Sequence, residues 1–255
     1  MQNAGQKAVA ECVATLALVF VGAGSVIVAS SPPLSGSGLI GVAIAHGLVL
    51  AVMVSVVGHL SGGHVNPAVT VAAWVTGNIK TALAGIYVVA QLAGAVVGAL
   101  LLRVVFPEGA WRQGALGAPL VNHAAGMTSG KAAVLEGILT FFLVFTVYGT
   151  GIDDRGPFSK IAGLPIGLVL TFDILAGGPL TGAAMNPARA FGPELVAGRW
   201  SDWWVYWIGP IGGGVIAAAV YWFTFLEGGE KLVAARRTQQ PIGGGPDADQ
   251  TSEER

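Results

Sequence analysis

The chain has 255 residues, of which 53% are hydrophobic and only 11% charged, with a net charge of −1. A soluble domain carries about 25% charged residues, so a water-facing globule is excluded, and the near-neutral balance leaves no basic field to attract nucleic acid. No Asp, Glu, Lys or Arg occurs over 12–79, 81–102 or 203–226, runs of 68, 22 and 24 residues, and uncharged runs of this kind are what the roughly 30 Å hydrocarbon core of a bilayer demands.

The first apolar run follows Lys7 and covers about 22 residues interrupted only by Glu11. It is too long for a signal-peptide core and lacks a convincing cleavage site, so it reads as a retained first helix. The candidate spans are 8–29, 39–59, 83–105, 132–150, 161–178 and 203–226. Breakers separate them at Ser30-Ser31-Pro32-Pro33, from Pro107 to Pro119, and at Asp153-Asp154-Arg155-Gly156-Pro157. Two further apolar pieces, about 66–76 and 186–196, are only 11 residues long. At 1.5 Å per residue they reach about halfway across a bilayer. The expected fold class is an all-α membrane protein of six transmembrane helices plus two half-helices. The Gly-, Pro- and acid-rich tail, 227–255, is expected to be disordered outside the membrane. The single Cys12 cannot form an intrachain disulfide, no Cys/His cluster has metal-ligand spacing, and neither metal nor cofactor is expected.

Six spans put both termini on one side. With the termini inside, Lys7, Lys80, Arg155, Lys160, Lys231, Arg236, Arg237 and Arg255 are cytoplasmic, against Arg103, Arg112, Lys131 and Arg199 outside. A tally of 8 against 4 favours that orientation by the positive-inside rule. An internal repeat is the stronger signal. Glu11-x3-Thr15-x2-Leu18-Val19-Phe20 recurs as Glu136-x3-Thr140-x2-Leu143-Val144-Phe145. Each glutamate is followed 55 or 50 residues later by Asn-Pro-Ala, at Asn66-Pro67-Ala68 and Asn186-Pro187-Ala188. Each half reads span, span, half-span, span, and an odd number of crossings inserts the second copy upside down. Inverted repeats of this kind place their working site near the midplane, where broken helices meet.

Asn followed by Pro is a helix start: Asn caps, and Pro at the first helical position loses nothing by lacking an N–H. Both half-helices would begin at their Asn and run outward from mid-membrane, each N-terminal end carrying roughly half a positive charge and unpaired N–H groups. Such groups are tolerated at that depth only in protein or around a wet cavity. The amides of Asn66 and Asn186, meeting from opposite faces, can donate to a molecule between them.

Ser61-Gly62-Gly63-His64-Val65-Asn66-Pro67-Ala68-Val69-Thr70 and Gly182-Ala183-Ala184-Met185-Asn186-Pro187-Ala188-Arg189-Ala190-Phe191-Gly192-Pro193 resemble the signatures of the major intrinsic protein (aquaporin) family. The similarity runs from residue 8 to about 226, and Ser61 to Thr70 with Ile174-Leu175-Ala176-Gly177-Gly178-Pro179 most resembles the plant tonoplast intrinsic proteins. The resemblance implies one channel domain over 1–226, with inverted repeats at about 8–105 and 132–226, and a homotetramer with one pore per subunit. In aquaporins, half-helix dipoles and an arginine exclude protons and cations. The implied activity is a passive water channel in a lipid bilayer, without chemistry, that also passes small neutral solutes such as ammonia, urea or hydrogen peroxide. A secondary transporter built on inverted repeats is the alternative reading, and an adhesive junction protein with residual permeability a third. A plant host would imply the vacuolar membrane; the Ala/Gly/Val bias and acidic tail favour a prokaryotic cell membrane.

The resemblance also implies the selectivity filter: Arg189, three residues after Asn186; His46, twenty before Asn66; Ile174, twelve before Asn186; and Ala183, three before it. That set implies hydrogen-bond donors on His46 and Arg189, an apolar wall at Ile174 and little bulk at Ala183. An arginine at membrane depth is costly and is normally functional or paired. Ala190 after Arg189, and Tyr206-Trp207 later, argue against a dedicated glycerol channel. Ala183 stands where many members carry a mercury-sensitive cysteine, so no mercury block is expected there. Glu11 and Glu136 are expected to brace the loops leading to the half-helices by accepting backbone N–H groups. His123 is a candidate for an additional outer filter residue, although ungapped counting lands on Val121. His64 is expected either to line the inner vestibule or to brace its loop. Asp173 and Glu194 have no assigned role, and the glycines Gly94, Gly98 and Gly209 to Gly214 mark close helix crossings.

Overall fold

A computed structural model describes residues 3–32, 34 and 38–226; the tail 227–255 lies outside the described residues. Among the described residues six helices are long and apolar enough to cross a membrane: α1 (Ala4–Ser30), α2 (Gly38–Ser61), α4 (Thr81–Val105), α6 (Ser129–Ile152), α7 (Gly163–Thr181) and α9 (Val205–Leu226). Between them lie the half-helices α3 (Pro67–Val75) and α8 (Pro187–Ala197) and a short helix, α5 (Glu108–Gln113).

Capping chemistry explains where these helices start. α1 begins four residues before the apolar run suggested, because Asn3 and Gln6 form a reciprocal capping box, with Gln6 N–H donating to Asn3 Oδ1 at 2.9 Å and Asn3 N–H to Gln6 Oε1 at 3.0 Å. α3 and α8 start as Asn-Pro demands: Asn66 Oδ1 accepts from Ala68 N–H at 2.8 Å, and Asn186 Oδ1 from Ala188 and Arg189 N–H at 3.0 and 3.2 Å. α7 runs through Pro179 to Thr181, past the expected end at 178. A neighbouring loop occupies that end, since Asn122 donates from Nδ2 to the Pro179 carbonyl and from its backbone N–H to Leu180. The stretch from Pro107 to Pro119 is more than a breaker, because it holds α5 and a 3-10 turn at Ala115–Gly117.

The spans pack by close backbone approach. α1 packs on α4 and α6 on α9, at equivalent places in the two repeats, while α2 crosses α7 near the pseudo-twofold axis. At that crossing a Cβ on Gly47 would fall 2.6 Å from the Gly167 carbonyl, and one on Gly167 would strike the Gly47 carbonyl, so only glycine allows the contact. Gly94 meets Cys12 and Gly213 meets Gly137 in the same manner. Each half-helix rests chiefly on the last span of the opposite repeat, α8 on α4 and α3 on α9. Aliphatic side chains such as Val104 (81% exposed) and Val89 (68%) point outward, as lipid requires.

Candidate functional site

Each half-helix is entered through a short non-helical loop whose backbone N–H groups lie outside any helical hydrogen-bond pattern. In the first repeat Glu11 closes that gap. Its Oε1 accepts from Ser61 Oγ (2.6 Å) and His64 N–H (2.9 Å), and its Oε2 from Val65 N–H (2.6 Å) and Gln91 Nε2 (2.8 Å). In the second repeat Glu136 Oε1 accepts from Thr181 Oγ1 (2.7 Å) and Ala184 N–H (3.0 Å), and Oε2 from Met185 N–H (2.7 Å). Both carboxylates are fully buried. The serine and threonine relay the contact one step further, accepting from Gly63 N–H and Ala183 N–H at 3.1 Å each.

Val65 and Met185, the residues before each Asn, hold left-handed conformations with φ of 56° and 51°. That geometry turns each carbonyl toward the other repeat. Asn66 Nδ2 donates to the Met185 carbonyl at 2.8 Å, and Asn186 Nδ2 to the Val65 carbonyl at 2.9 Å. An amide nitrogen carries two protons, and one per asparagine is used in this way. Both asparagines line a narrow cavity of about 20 Å³ that also contacts His46, His64, Ala184 and Arg189, with aliphatic walls including Leu18, Leu50, Val54 and Leu170. At the His64 end the cavity opens into a wide vestibule lined by His59, Asn78, Tyr148 and Lys160. His64 takes part in both expected ways: it lines the cavity and vestibule, while its Nδ1 lies 3.1 Å from Thr70 Oγ1 and its ring packs edge-on against Tyr87.

At the opposite end Arg189 is buried and held by two acceptors. Its Nη1 donates to the Gly117 carbonyl at 2.8 Å, and its Nε and Nη2 lie 3.3 and 3.1 Å from His46 Nε2. His46 Nδ1 lies 2.8 Å from the Val42 carbonyl. A carbonyl only accepts and a guanidinium only donates, so His46 is the neutral tautomer with its proton on Nδ1. This corrects the expectation that His46 presents a donor to the lumen, because its one N–H is spent on its own helix and Nε2 accepts from Arg189. Ile174 and Ala183 are buried in the adjoining apolar cluster with Leu139 and Met185; the residue lining the cavity beside Asn186 is Ala184.

His123 stands elsewhere. Its Nδ1 is 2.8 Å from the Met127 carbonyl and its Nε2 is 2.9 Å from Asp202 Oδ2, at an exposed loop. With both ring nitrogens engaged there, it is not among the hydrogen-bond partners of Arg189. Asp173 is buried one helical turn before Gly177, which faces Leu139, and two before Thr181, so it lies toward α6. Among the described residues its Oδ2 and both carboxyl oxygens of Glu194 lack a hydrogen-bond partner, and nothing in the structure explains Glu194. No group of three or more His, Cys, Asp or Glu among the described residues is arranged to hold a metal ion.

Several site residues escaped the sequence reading. Tyr87 and Tyr206 donate to the carbonyls of Ser61 (2.6 Å) and Thr181 (2.9 Å), a repeat-related pair fastening the two loops. Their matching positions in the repeats were the available signal. Gln91 has no such partner, and Gly117 acts through its carbonyl, which no side-chain pattern announces.

The comparisons with known proteins agree with this geometry. The family model described as "Major intrinsic protein" matches residues 2–221. Aquaporin TIP1-2 of Zea mays is 46% identical over 229 residues, covering 88% of this chain and 87% of the relative. Aquaporin TIP2-1 of Arabidopsis thaliana is 42% identical over 231 residues, covering 89% and 90%. An aquaglyceroporin structure from Plasmodium falciparum shares the fold at a TM-score of 0.77 and 22% identity, covering 90% of this chain and 100% of that one. With its family model matched over nearly the whole chain and relatives this similar across most of its length, the chain belongs to the major intrinsic protein family.

Proposed function

We propose that the protein is a passive, bidirectional water channel whose pore also passes small neutral solutes such as ammonia, urea or hydrogen peroxide. The observation that carries this reading is the pair Asn66 and Asn186, each tied through one amide proton to the opposite loop and lining the same cavity. The second amide proton of each is left to donate to a water oxygen passing between them. Donors on one wall orient that water and interrupt a proton wire, and the two positive half-helix ends oppose cations, as in aquaporins.

His46, Ile174, Ala183 and Arg189 form the selectivity filter in this reading. Arg189 supplies the donors, His46 holds Arg189 instead of donating, and Ile174 and Ala183 are apolar. A filter with so few polar groups and no second aromatic ring suits solutes somewhat larger than water. Glu11 and Glu136 brace the loops. The exposed aliphatic faces of the spans suit both lipid and neighbouring subunits, and the assembly proposed is a homotetramer with one pore per chain. The protein is an integral membrane protein, vacuolar if its host is a plant.

Stopped-flow light scattering on proteoliposomes is expected to show osmotic water flux far above that of empty vesicles, independent of any ion gradient. Flux that required a gradient would instead indicate a transporter. Replacing His46 with Phe fills the filter, and H46F should lower urea and ammonia flux more than water flux. Unchanged solute flux in that variant would remove His46 from the filter.

A further inference from the structure

α1 is not a continuous α-helix: residues Leu18–Ala23 form a π-helical turn, a wider local geometry frequent at functional sites. Two consecutive residues of that turn back the two acceptors that hold Arg189. The first contact is at Gly22. A Cβ built there would lie 2.6 Å from His46 Cδ2 and 2.7 Å from Nε2, the nitrogen that accepts from Arg189. The second is at Ala23, whose backbone and methyl press on Gly117: a Cβ on Gly117 would lie 2.6 Å from the Ala23 Cβ. Gly117 supplies the other acceptor, its carbonyl, at the end of three successive left-handed residues, Ala115 (φ 49°), Leu116 (53°) and Gly117 (71°). Such a run is costly for non-glycine residues and persists only where surrounding contacts impose it.

We propose that the π-turn of α1 is the positioning platform for the Arg189 end of the pore, and that the absence of a side chain at Gly22 determines the solutes admitted, by letting the His46 ring withdraw against α1. Gly22 touches no permeant; it acts through His46. The inference rests on the filter reading given above. Without a side chain at 22, the imidazole edge seats on the α1 backbone with Nδ1 on Val42 and Nε2 under the guanidinium. A single methyl there cannot coexist with the ring, which is fastened at both nitrogens and has to leave its seat. The open direction is the lumen, since His46 already lines the cavity.

The test compares Gly22→Ala, His46→Ala and the double variant in proteoliposomes of equal channel content, reading water and urea permeability. G22A is expected to lose about tenfold in urea permeability, equivalent to an added barrier of about 1.4 kcal/mol, with a smaller loss for water. H46A removes the ring, so adding G22A to it should change neither flux. G22A with the wild-type urea-to-water ratio would overturn the proposal. So would a double variant still impaired relative to H46A, because the methyl would then be obstructing something other than His46. If G22A fails to fold, the double variant decides: recovery of folded, conducting protein supports the clash with His46, and failure of both overturns it. The filter reading fails separately if H46A alone leaves the urea-to-water ratio at the wild-type value.

Discussion

Val65 and Met185 concentrate the strain at the centre of the molecule. Both are buried, non-glycine and left-handed, a conformation that costs about 1–3 kcal/mol per residue. What holds each in place is a bond at either end: its N–H to a buried carboxylate, its carbonyl to the asparagine of the other repeat. The carboxylates are therefore irreplaceable by their amides. In Glu136→Gln one oxygen becomes an NH2 facing a backbone N–H, leaving a buried donor unpaired. E136Q is expected to lose about 3 kcal/mol of stability, the scale of a lost charged hydrogen bond plus an orphaned donor. Thermal unfolding in detergent measures it, and a wild-type midpoint would contradict the bracing role. Glu11 accepts four bonds where Glu136 accepts three, so E11Q should be at least as damaging. The two glutamates were legible because the repeat duplicates them in charge-free helices. The tautomer of His46 was not, because it is set by Val42 and by an arginine far away in sequence. Cys12, the sole thiol, is partly buried on α1 and does not line the cavity. Mercuric chloride should therefore leave water flux unchanged, and inhibition abolished by Cys12→Ser would show a path from that thiol to the pore.

Among the elements, the six spans and two half-helices were legible to within a few residues, since lipid demands length and apolarity and Asn-Pro marks a start. The outer connections were not. α5 and the left-handed turn after it carry no periodicity, and their shape comes from packing of Gly117 on Ala23. A second outer contact joins two connections: His123 and Ser129 both bond to Asp202, the serine at 2.6 Å, tying the loop before α6 and the start of α6 to the turn before α9. Both nitrogens of His123 face acceptors, Asp202 and the Met127 carbonyl, and only the doubly protonated ring can donate to both. The bond to Asp202 above all raises the His123 pKa from its ordinary value, while Ser129 and then His123 lower that of Asp202. The signs follow. A raised histidine contributes fully below about pH 6.5 and loses its contribution as pH rises through the raised pKa. The lowered aspartate keeps its contribution until pH falls below the ordinary carboxylate range. The clasp is thus closed at mildly acidic pH and loosens on the alkaline side. NMR titration of the His123 ring should give a midpoint above that of His123 in an Asp202→Asn variant. An unshifted midpoint would mean that the clasp does not form in solution.

At the scale of the whole molecule, each repeat is completed by the other. The half-helix of one lies on the last span of the other, the asparagines exchange bonds across the centre, and Gly47 and Gly167 let α2 and α7 touch at the crossing. Such reciprocity makes the two faces of the protein nearly interchangeable in backbone, so the fold itself does not decide which faces the cytoplasm. The decision falls to the few charges at its rims. Lys80 and Lys160 lie at the end where Arg155, paired with Asp153 at 2.7 Å, also donates to the Phe225 carbonyl at the close of α9. That acid is held well below the usual carboxylate range, at about 2, mainly by its hydrogen bond to Arg155. Its contribution persists at every pH above the ordinary carboxylate value and is lost only as pH falls towards 2, so this rim keeps its charge pattern across the physiological range. Lys131 and Arg199 lie at the opposite rim with the His123 clasp. Lys7, Lys80, Arg155 and Lys160 on one side are matched by Arg103, Arg112, Lys131 and Arg199 on the other, so the excess of 8 over 4 comes from the cations of 227–255. Because positive charge near span ends resists translocation, the side that carries them should be cytoplasmic. Single cysteines at 80, 160, 131 and 199, introduced into a Cys12→Ser background, would decide it with a membrane-impermeant maleimide on intact cells. Labelling is expected at 131 and 199, and at 80 and 160 only after permeabilisation. The reverse pattern would place the wide vestibule with His59 and Lys160 outside, and the Arg189 end of the pore would then be the cytoplasmic one.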